Sequence, residues 1–361
     1  MRSRPAASRP TASGTPTSTD VARRAGVSQT TVSLVMNGAG KRAGLSLATQ
    51  ERVRQAAADL GYTPNHAARN LRRQRTGSIT FICPDLGNPY FAEVIIAAQS
   101  MAQEHGYLLD IIAAADEAEK LQAIGRLRGS VSDGVITTAP TRAIWDALQD
   151  LSARGIACVT LQDEGDDPTI PAVRIDLELG GYTATRHLVA HGHRRIGLIS
   201  GRQSFPLRAQ ERVHGYRRAL EEAGMSPDPR WGVDVPNSMA GGAEAVEILL
   251  RQGAPMPDAL FVFNDIMAVG VLHALRIHGL RVPEDMAVVG FDGIALGAFT
   301  TPTLTTVEHP RAELGRQAAS SLIRLMGQEK AAPTVLLPGH LVVRESCGAR
   351  RLSTLGGDNA A

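Results

Sequence analysis

Apolar positions along the 361-residue chain fall into two regimes. At the front, the stretch Thr19 to Asn37, TDVARRAGVSQTTVSLVMN, carries them at helical spacing in two short runs separated by Gly26. Asp20 is placed to cap the first helix and Ser28 the second, while Gly26 supplies the freedom that a sharp turn needs. Val32 and Val35 fall on one face of the second helix and can pack against Val21 and Ala25. Gln29, Thr30, Ser33 and Leu34 then point away from the packed face. A third helix is predicted from the Ser46 cap to Leu60, with Val53, Ala57 and Leu60 on its buried side, and Gly61 ends it.

From Ile79 the pattern changes to strand-like runs alternating with amphipathic helices. The strands are SITFICP, YLLDIIAA, DGVITTA, ACVTLQD, AVRID, RIGLIS, ALFVF and MAVVGFD; the helices lie near 90–104, 117–128, 142–153, 178–191, 208–223, 240–251 and 265–278. Repeated alternation of this kind predicts parallel sheets with helices on both faces, and about 270 residues of it exceeds one ordinary domain.

Charge separates the same two regions. Residues 1–76 hold 13 Lys and Arg against 3 Asp and Glu, a net of +10, while the remainder holds 25 against 33, a net of −8. A whole-chain charge of +2 therefore hides a strongly basic front whose natural partner is a polyanion. A helix-turn-helix lays the start of its second helix in the major groove of DNA, where Gln29 suits adenine and Thr30 and Ser33 discriminate less. Before it, residues 1–17 read as a disordered arm rich in Pro, Ser and Thr. After it, NGAGKRAG lacks the spacing of a phosphate loop and reads as a flexible basic loop beside the DNA backbone. The segment NHAARNLRRQRTG, with Arg69, Arg72, Arg73 and Arg75, reads by composition as a charged linker.

The runs DVARRAGVSQTTVSLVMNG and TQERVRQAAADLGYTPNHAARNLRRQRTGSITFICPDLGNPYFAEV, with GHRRIGLISG, FNDIMAVGVL, VVGFDG and TPTLTTVEHP further on, closely resemble the lactose/galactose-repressor family of bacterial transcription regulators. The resemblance implies an N-terminal all-α helix-turn-helix DNA-binding domain plus an α/β, periplasmic-binding-protein-like core of two parallel-sheet lobes. It assigns DNA contacts to Thr19, Ser28, Gln29, Thr30, Ser33, Leu34, Asn37 and Tyr62. Leu34 stands where many members carry an arginine that reads guanine, and GAGKRAGLS is about three residues longer than the usual loop. The linker is implied to fold into a helix on operator DNA and to drive Leu71 into the minor groove, with Asn65, Ala68 and Arg69 along the same helix.

The implied boundaries are a helix-turn-helix domain at 18–63, a hinge at 64–77, a core at 78–345 and a polar tail at 346–361. Within the core the N-lobe takes about 78–173 and 301–335, and the C-lobe about 176–300 and 338–345. The chain would cross between them near 173–176, 300–308 and 334–340.

Ligands of open α/β sheets sit at the carboxyl ends of the strands, which singles out Asp85, Asn88, Tyr90, Phe91, Asp163, Asn264, Asp265 and Asp292, joined by Arg208 and Arg212 from a C-lobe helix. The resemblance matches Tyr90 and Phe91 to positions that stack on an effector. It matches Arg212, Asp292 and Asn264 to positions that bind its polar groups. A planar Arg fork and a carboxylate suit vicinal hydroxyls. Asp163 and Asp292 also fit turn or helix caps, and Phe91 also fits a core position beside Val94 and Ile95. The loop at Val235 and Pro236 lacks the aromatic ring that some members place there.

Other chemistry finds little support. Cys83, Cys158 and Cys347 are far apart and fit buried thiols in a reducing cytoplasm. His187, His191 and His193 lack the acidic partner of a metalloprotease helix and read as helix surface and helix end. There is no GxSxG elbow and no GxGxxG between strand and helix, no run long enough for a membrane span, and no apolar signal core. No metal and no cofactor are expected. The combined reading is a cytoplasmic, nucleoid-associated regulator, a repressor by preference. It would bind palindromic operator DNA as a homodimer through residues 85–120 and 265–285, under control of a small effector such as a sugar. The tail ARRLSTLGGDNAA has no leucine heptads that would argue for tetramers. The competing readings are a solute-binding receptor, or an enzyme on the same lobes, with a vestigial helical front.

Overall fold

The computed structural model describes residues 16–62, 76–129, 131–138, 141–162, 169–202, 206–252, 255–329 and 334–348. The arm, Asn65, Ala68, Arg69, Leu71 and Asp163, with the residues after Gly348, lie outside the described residues. Two compact units divide the chain after Gln74.

The first unit is three helices: α1 Ser18–Ala25, α2 Gln29–Met36 and α3 Leu47–Leu60. Thr17, rather than Asp20, is the N-cap of α1; Asp20 is the reciprocal partner in a capping box, its carboxylate accepting from the Thr17 backbone and hydroxyl. Ser28 and Ser46 cap α2 and α3 as their sequence positions predict. Val21, Val32 and Val53 are fully or almost fully buried in one cluster with Ala22, Ala25, Val35 and Ala57, each valine contributing roughly 1.5–3 kcal/mol. The loop expected to be flexible is wound into successive turns by Ala43 N–H to the Ala39 carbonyl and Leu45 N–H to the Gly40 carbonyl. Buried Gln50 fastens it, donating from Nε2 to the Leu45 carbonyl at 2.9 Å.

The second unit holds two six-stranded sheets. Strands β1 Ser78–Cys83, β2 Leu108–Ala113, β3 Gly134–Thr138, β4 Ala157–Leu161, β5 Ala172–Ile175 and β11 Val335–Leu337 form the N-lobe sheet in the order β11-β5-β4-β3-β1-β2, all parallel. Strands β6 Ile196–Arg202, β7 Gly232–Pro236, β8 Ala259–Val262, β9 Ala287–Asp292, β10 Thr305–Glu308 and β12 His340–Val342 form the C-lobe sheet in the order β12-β10-β9-β8-β6-β7, with only β12 antiparallel. Continuous burial of β1, β3, β8 and β9 on both faces explains their uninterrupted apolar runs.

The helices between them are α4 Pro89–Glu104, α5 Glu117–Leu127, α6 Arg142–Ala153, α7 Leu177–Ala190, α8 Pro206–Glu222, α9 Met239–Arg251, α10 Asp265–Ile277 and α11 Arg311–Met326. Of these, α11 and strands β7, β10, β11 and β12 were not read from sequence. Val235 and Pro236, expected in a loop, lie in β7.

The passages between sheets differ from the expected ranges in one place. Thr305 to Glu308 pair with Val289 to Asp292, so β10 stays in the C-lobe and the second passage falls at His309 and Pro310. The C-lobe also continues past residue 345: Ser346 accepts from the Val288 N–H through its carbonyl and donates from its hydroxyl to the Val288 carbonyl. All three cysteines are free and buried. Among the described residues no helix is long and apolar enough to cross a membrane.

Close helix crossings set the position of the cleft. A Cβ added at Gly215 of α8 would land on the Glu178 carbonyl of α7, and one at Gly181 on the Arg212 carbonyl. Only glycine lets these two backbones touch, which fixes the height of Arg212 on α8 above the sheet.

Candidate functional site

On the first unit, Gln29, Thr30 and Ser33 are exposed and Leu34 is half-buried, so α2 presents the face expected from its pattern. Gln29 donates from Nε2 to Ser18 Oγ at 2.7 Å, so a base edge would have to displace Ser18. Asn37 donates to the Ser33 carbonyl at 2.7 Å and closes the end of α2. Thr19 is exposed on α1, Ser28 is exposed but engaged as the cap, and Tyr62 packs against the helical core.

The charges of this unit are partitioned. Its three described carboxylates, Asp20, Asp59 and Glu51, are paired with Arg23, Arg24 and Arg54 at 3.3, 2.7 and 3.3 Å. Lys41 and Arg42 on the wound loop and Arg52 on α3 have no acidic partner among the described residues. Among the described residues of this unit, these three are the exposed cations left without an acidic partner.

In the second unit the ends of β1, β4 and β9 bring Tyr90, Gln162 and Asp292 together with Arg212. Asn88 caps α4, accepting from the Tyr90 N–H at 3.0 Å, which turns the Tyr90 ring inward. The Tyr90 hydroxyl accepts from Gln162 Nε2 at 3.1 Å, and Gln162 Oε1 accepts from the Ile175 N–H at 2.9 Å. Burial, then the Asp292 carboxylate, push the Tyr90 phenol far up, while Arg212 pulls it down; N-lobe and C-lobe groups thus share one electrostatic environment. Phe91 meets Tyr90 edge to face, centroids 5.1 Å apart, and packs partly on the core.

Arg212 lies over two aromatic rings, its guanidinium carbon 4.1 Å from the Phe263 centroid and 4.2 Å from that of Phe291. Its Nε is buried without a hydrogen-bond partner. One Nη lies 3.9 Å from Asp292 Oδ1, too long for a hydrogen bond. Burial opposes the charge of Arg212, and Asp292 and Tyr90 favour it. Burial pushes the Asp292 carboxyl up to about 8 against the pull of Arg212. Asp292 also sits at φ 113°, a conformation uncommon outside glycine, so its placement is enforced by its surroundings. An edge of a clamped guanidinium facing a carboxyl across 3.9 Å is a slot that polar groups of a ligand can bridge.

Two of the expected contacts are also engaged by the protein itself. Asp265 is fully buried and accepts from the Thr306 hydroxyl at 2.6 Å and the Ile294 N–H at 2.8 Å. Both of its oxygens are engaged, and they anchor the turn after Asp292. Asn264 caps α10, accepting from the Met267 N–H at 2.9 Å, and its amide donates to Asn237. Asp85 accepts from the Gly87 N–H at 2.7 Å as a local turn. The Arg208 side chain lies outside the described residues.

Four participants escaped the sequence reading: Gln162, Phe263, Phe291 and Arg311. Gln162 is the polar residue directly after β4, one position before the expected Asp163. The two phenylalanines were indistinguishable from strand core. Outside the cleft, His187 is half-buried, its imidazole pushed down to about 4 by burial, and His193 lies 3.5 Å from Asp258. No cluster of metal-binding side chains occurs among the described residues.

Residues 17–65 match the lacI family of bacterial regulatory proteins, and residues 185–347 match a periplasmic binding protein-like domain. The transcriptional regulator DegA of Bacillus subtilis (strain 168) is 34% identical over 333 residues, which cover 91% of this chain and 96% of DegA. The solved structure of the transcriptional regulator CelR in complex with cellobiose is similar at 33% identity and a TM-score of 0.69, covering 92% of this chain and 99% of that one. That of the lac repressor dimer bound to operator and the anti-inducer ONPF is similar at 28% identity and a TM-score of 0.81, with 92% and 99% covered. A helix-turn-helix unit carried on a two-lobed α/β binding core defines a DNA-binding transcriptional regulator rather than an enzyme. The chain belongs to the lacI family of bacterial regulatory proteins. Relatives that match over both units leave no room for a vestigial front.

The Asp292 shift gives a pH signature. Its folded pKa of about 8 lies above the unfolded value of 3.8, so the proton is held more tightly in the folded state. The stability this contributes is fully present below pH 3.8 and is lost as pH rises to about 8. In urea unfolding, Asp292→Asn should gain stability relative to wild type between pH 5 and 8, with the gain levelling above pH 8. Parallel curves for the two proteins would contradict the assignment.

Proposed function

We propose that the protein is a cytoplasmic repressor whose homodimer binds palindromic operator DNA, one α2 helix per half-site, and that a small sugar-like effector in the cleft between the lobes sets its affinity for that DNA. The observation that carries the effector half is the slot between Arg212 and Asp292, with a buried guanidinium Nε that no described residue satisfies. A buried donor left unpaired costs about 1–3 kcal/mol, and a ligand acceptor relieves it. The similarity to the CelR–cellobiose complex supports a sugar as the class.

A dimer is supported by the edge strand β2, whose Leu108 and Ile111 are 68% and 43% exposed, and by Ile96 and Ile277 at 62% and 61%. Apolar side chains on an open sheet edge invite a covering surface, and these fall within the expected 85–120 and 265–285 segments. On the DNA side, Gln29, Thr30, Ser33 and Leu34 are assigned to base edges, while Leu71 is assigned as the minor-groove wedge. Lys41, Arg42 and Arg52 are assigned to phosphates.

In a thermal-shift screen of cellobiose, other sugars, nucleosides and sugar phosphates, at least one compound should raise Tm. Arg212→Leu should abolish that shift, the loss of a buried charged partner costing about 2–5 kcal/mol of binding. A retained shift would contradict the slot. In binding to a random-sequence duplex, the double variant Lys41→Gln/Arg42→Gln should lower the magnitude of the log K against log salt slope by about 2. An unchanged slope would remove the loop from the interface.

A further inference from the structure

Arg311, the first residue of α11, is buried, and its guanidinium is divided between the lobes. Nε and one Nη donate to the two carboxylate oxygens of Glu93 on α4, at 2.9 and 3.1 Å. The other Nη donates to the main-chain carbonyl of Asp292 at the end of β9. Glu93 follows Tyr90 by three residues on the same helix and so lies on its face. One rigid, planar group therefore ties the C-lobe strand end that carries the cleft carboxyl to the N-lobe helix that carries the cleft phenol.

The two ends of this tie are stiffened independently. A Cβ at Gly315, one turn along α11, would land on the Val94 carbonyl, so α11 and α4 are packed backbone to backbone and move as one body. On the other side the Asp265 carboxylate holds the Ile294 N–H, fixing the turn that follows Asp292. Between the lobes, His309 is buried with neither ring nitrogen hydrogen-bonded, so the passage itself adds no polar tie there.

We propose that Arg311 is a positioning residue that sets the closure of the two lobes before any ligand arrives, holding Tyr90 and Asp292 in register across the cleft. This rests on the cleft being the effector site, but the test needs neither effector nor DNA. Single cysteines introduced at exposed Gln122 of α5 and Glu244 of α9 would be spin-labelled in the full-length protein, doubly labelled subunits being diluted into unlabelled ones. The native cysteines are buried and would not react.

Pulsed dipolar spectroscopy should give one narrow interlobe distance distribution for the parent. It should broaden in Arg311→Lys, which cannot reach Glu93 and the Asp292 carbonyl together, and equally in Glu93→Gln. Glu313→Gln, which alters a neighbouring ion pair of α11 with Arg316, should leave it narrow. Should Arg311→Lys fail to fold, Glu93→Gln decides alone, since its side chain is 47% exposed. An unchanged distribution in a folded Glu93→Gln protein, or equal broadening in Glu313→Gln, overturns the proposal. A protein that shows the broadening but answers no sugar would retain the positioning role and lose the sugar reading.

Discussion

The second unit is built around a guanidinium that the protein buries without satisfying. Arg212 lies over Phe263 and Phe291, yet among the described residues its Nε has no partner and the Asp292 carboxyl stands 3.9 Å away. A buried charge is costly without close, hydrogen-bonded company. The arrangement persists because the surrounding scaffold over-determines it. The glycine contacts between α7 and α8 fix the backbone of Arg212, and the Asp265 carboxylate fixes the turn after Asp292.

The first unit follows the opposite logic. Its carboxylates are all neutralised by arginines of the same small fold, so no acidic side chain there repels a polyanion unopposed. Lys41, Arg42 and Arg52 stay available. In the proposed reading these cations add to the attraction of a phosphate backbone, and discrimination is left to the short polar side chains of α2. Affinity and reading are thus assigned to different parts of one three-helix unit.

Much of this was legible in the sequence because period and punctuation coincide there. Ser28, Ser46, Gly26 and Gly61 mark the helix ends, and the charge contrast between the two regions separates the units. The misses have physical causes. Thr17 rather than Asp20 caps α1 because a capping box uses both residues, and composition alone does not say which one leads. Strands β10 to β12 are short, and the chain alternates between sheets there, so no long periodic run announces them. Asp265 and Asn264 occupy the expected strand end and also hold main-chain amides and neighbouring side chains, a matter of direction that residue type does not encode. Phe263 and Phe291 carry the apolar signature of strand core while serving as the walls that clamp Arg212.

Central to the account is a single linkage between the two units: ligand in the cleft and DNA on the helices must change each other's affinity by the same factor. The direct measurement is a pair of titrations on full-length protein, using a duplex recovered by in vitro selection and a compound identified by its stabilising effect. Calorimetry would give the ligand affinity with and without duplex, and anisotropy the duplex affinity with and without ligand. The account predicts two equal factors, each different from one. A ligand affinity that is the same on free and DNA-bound protein, with duplex binding equally indifferent to ligand, would contradict it.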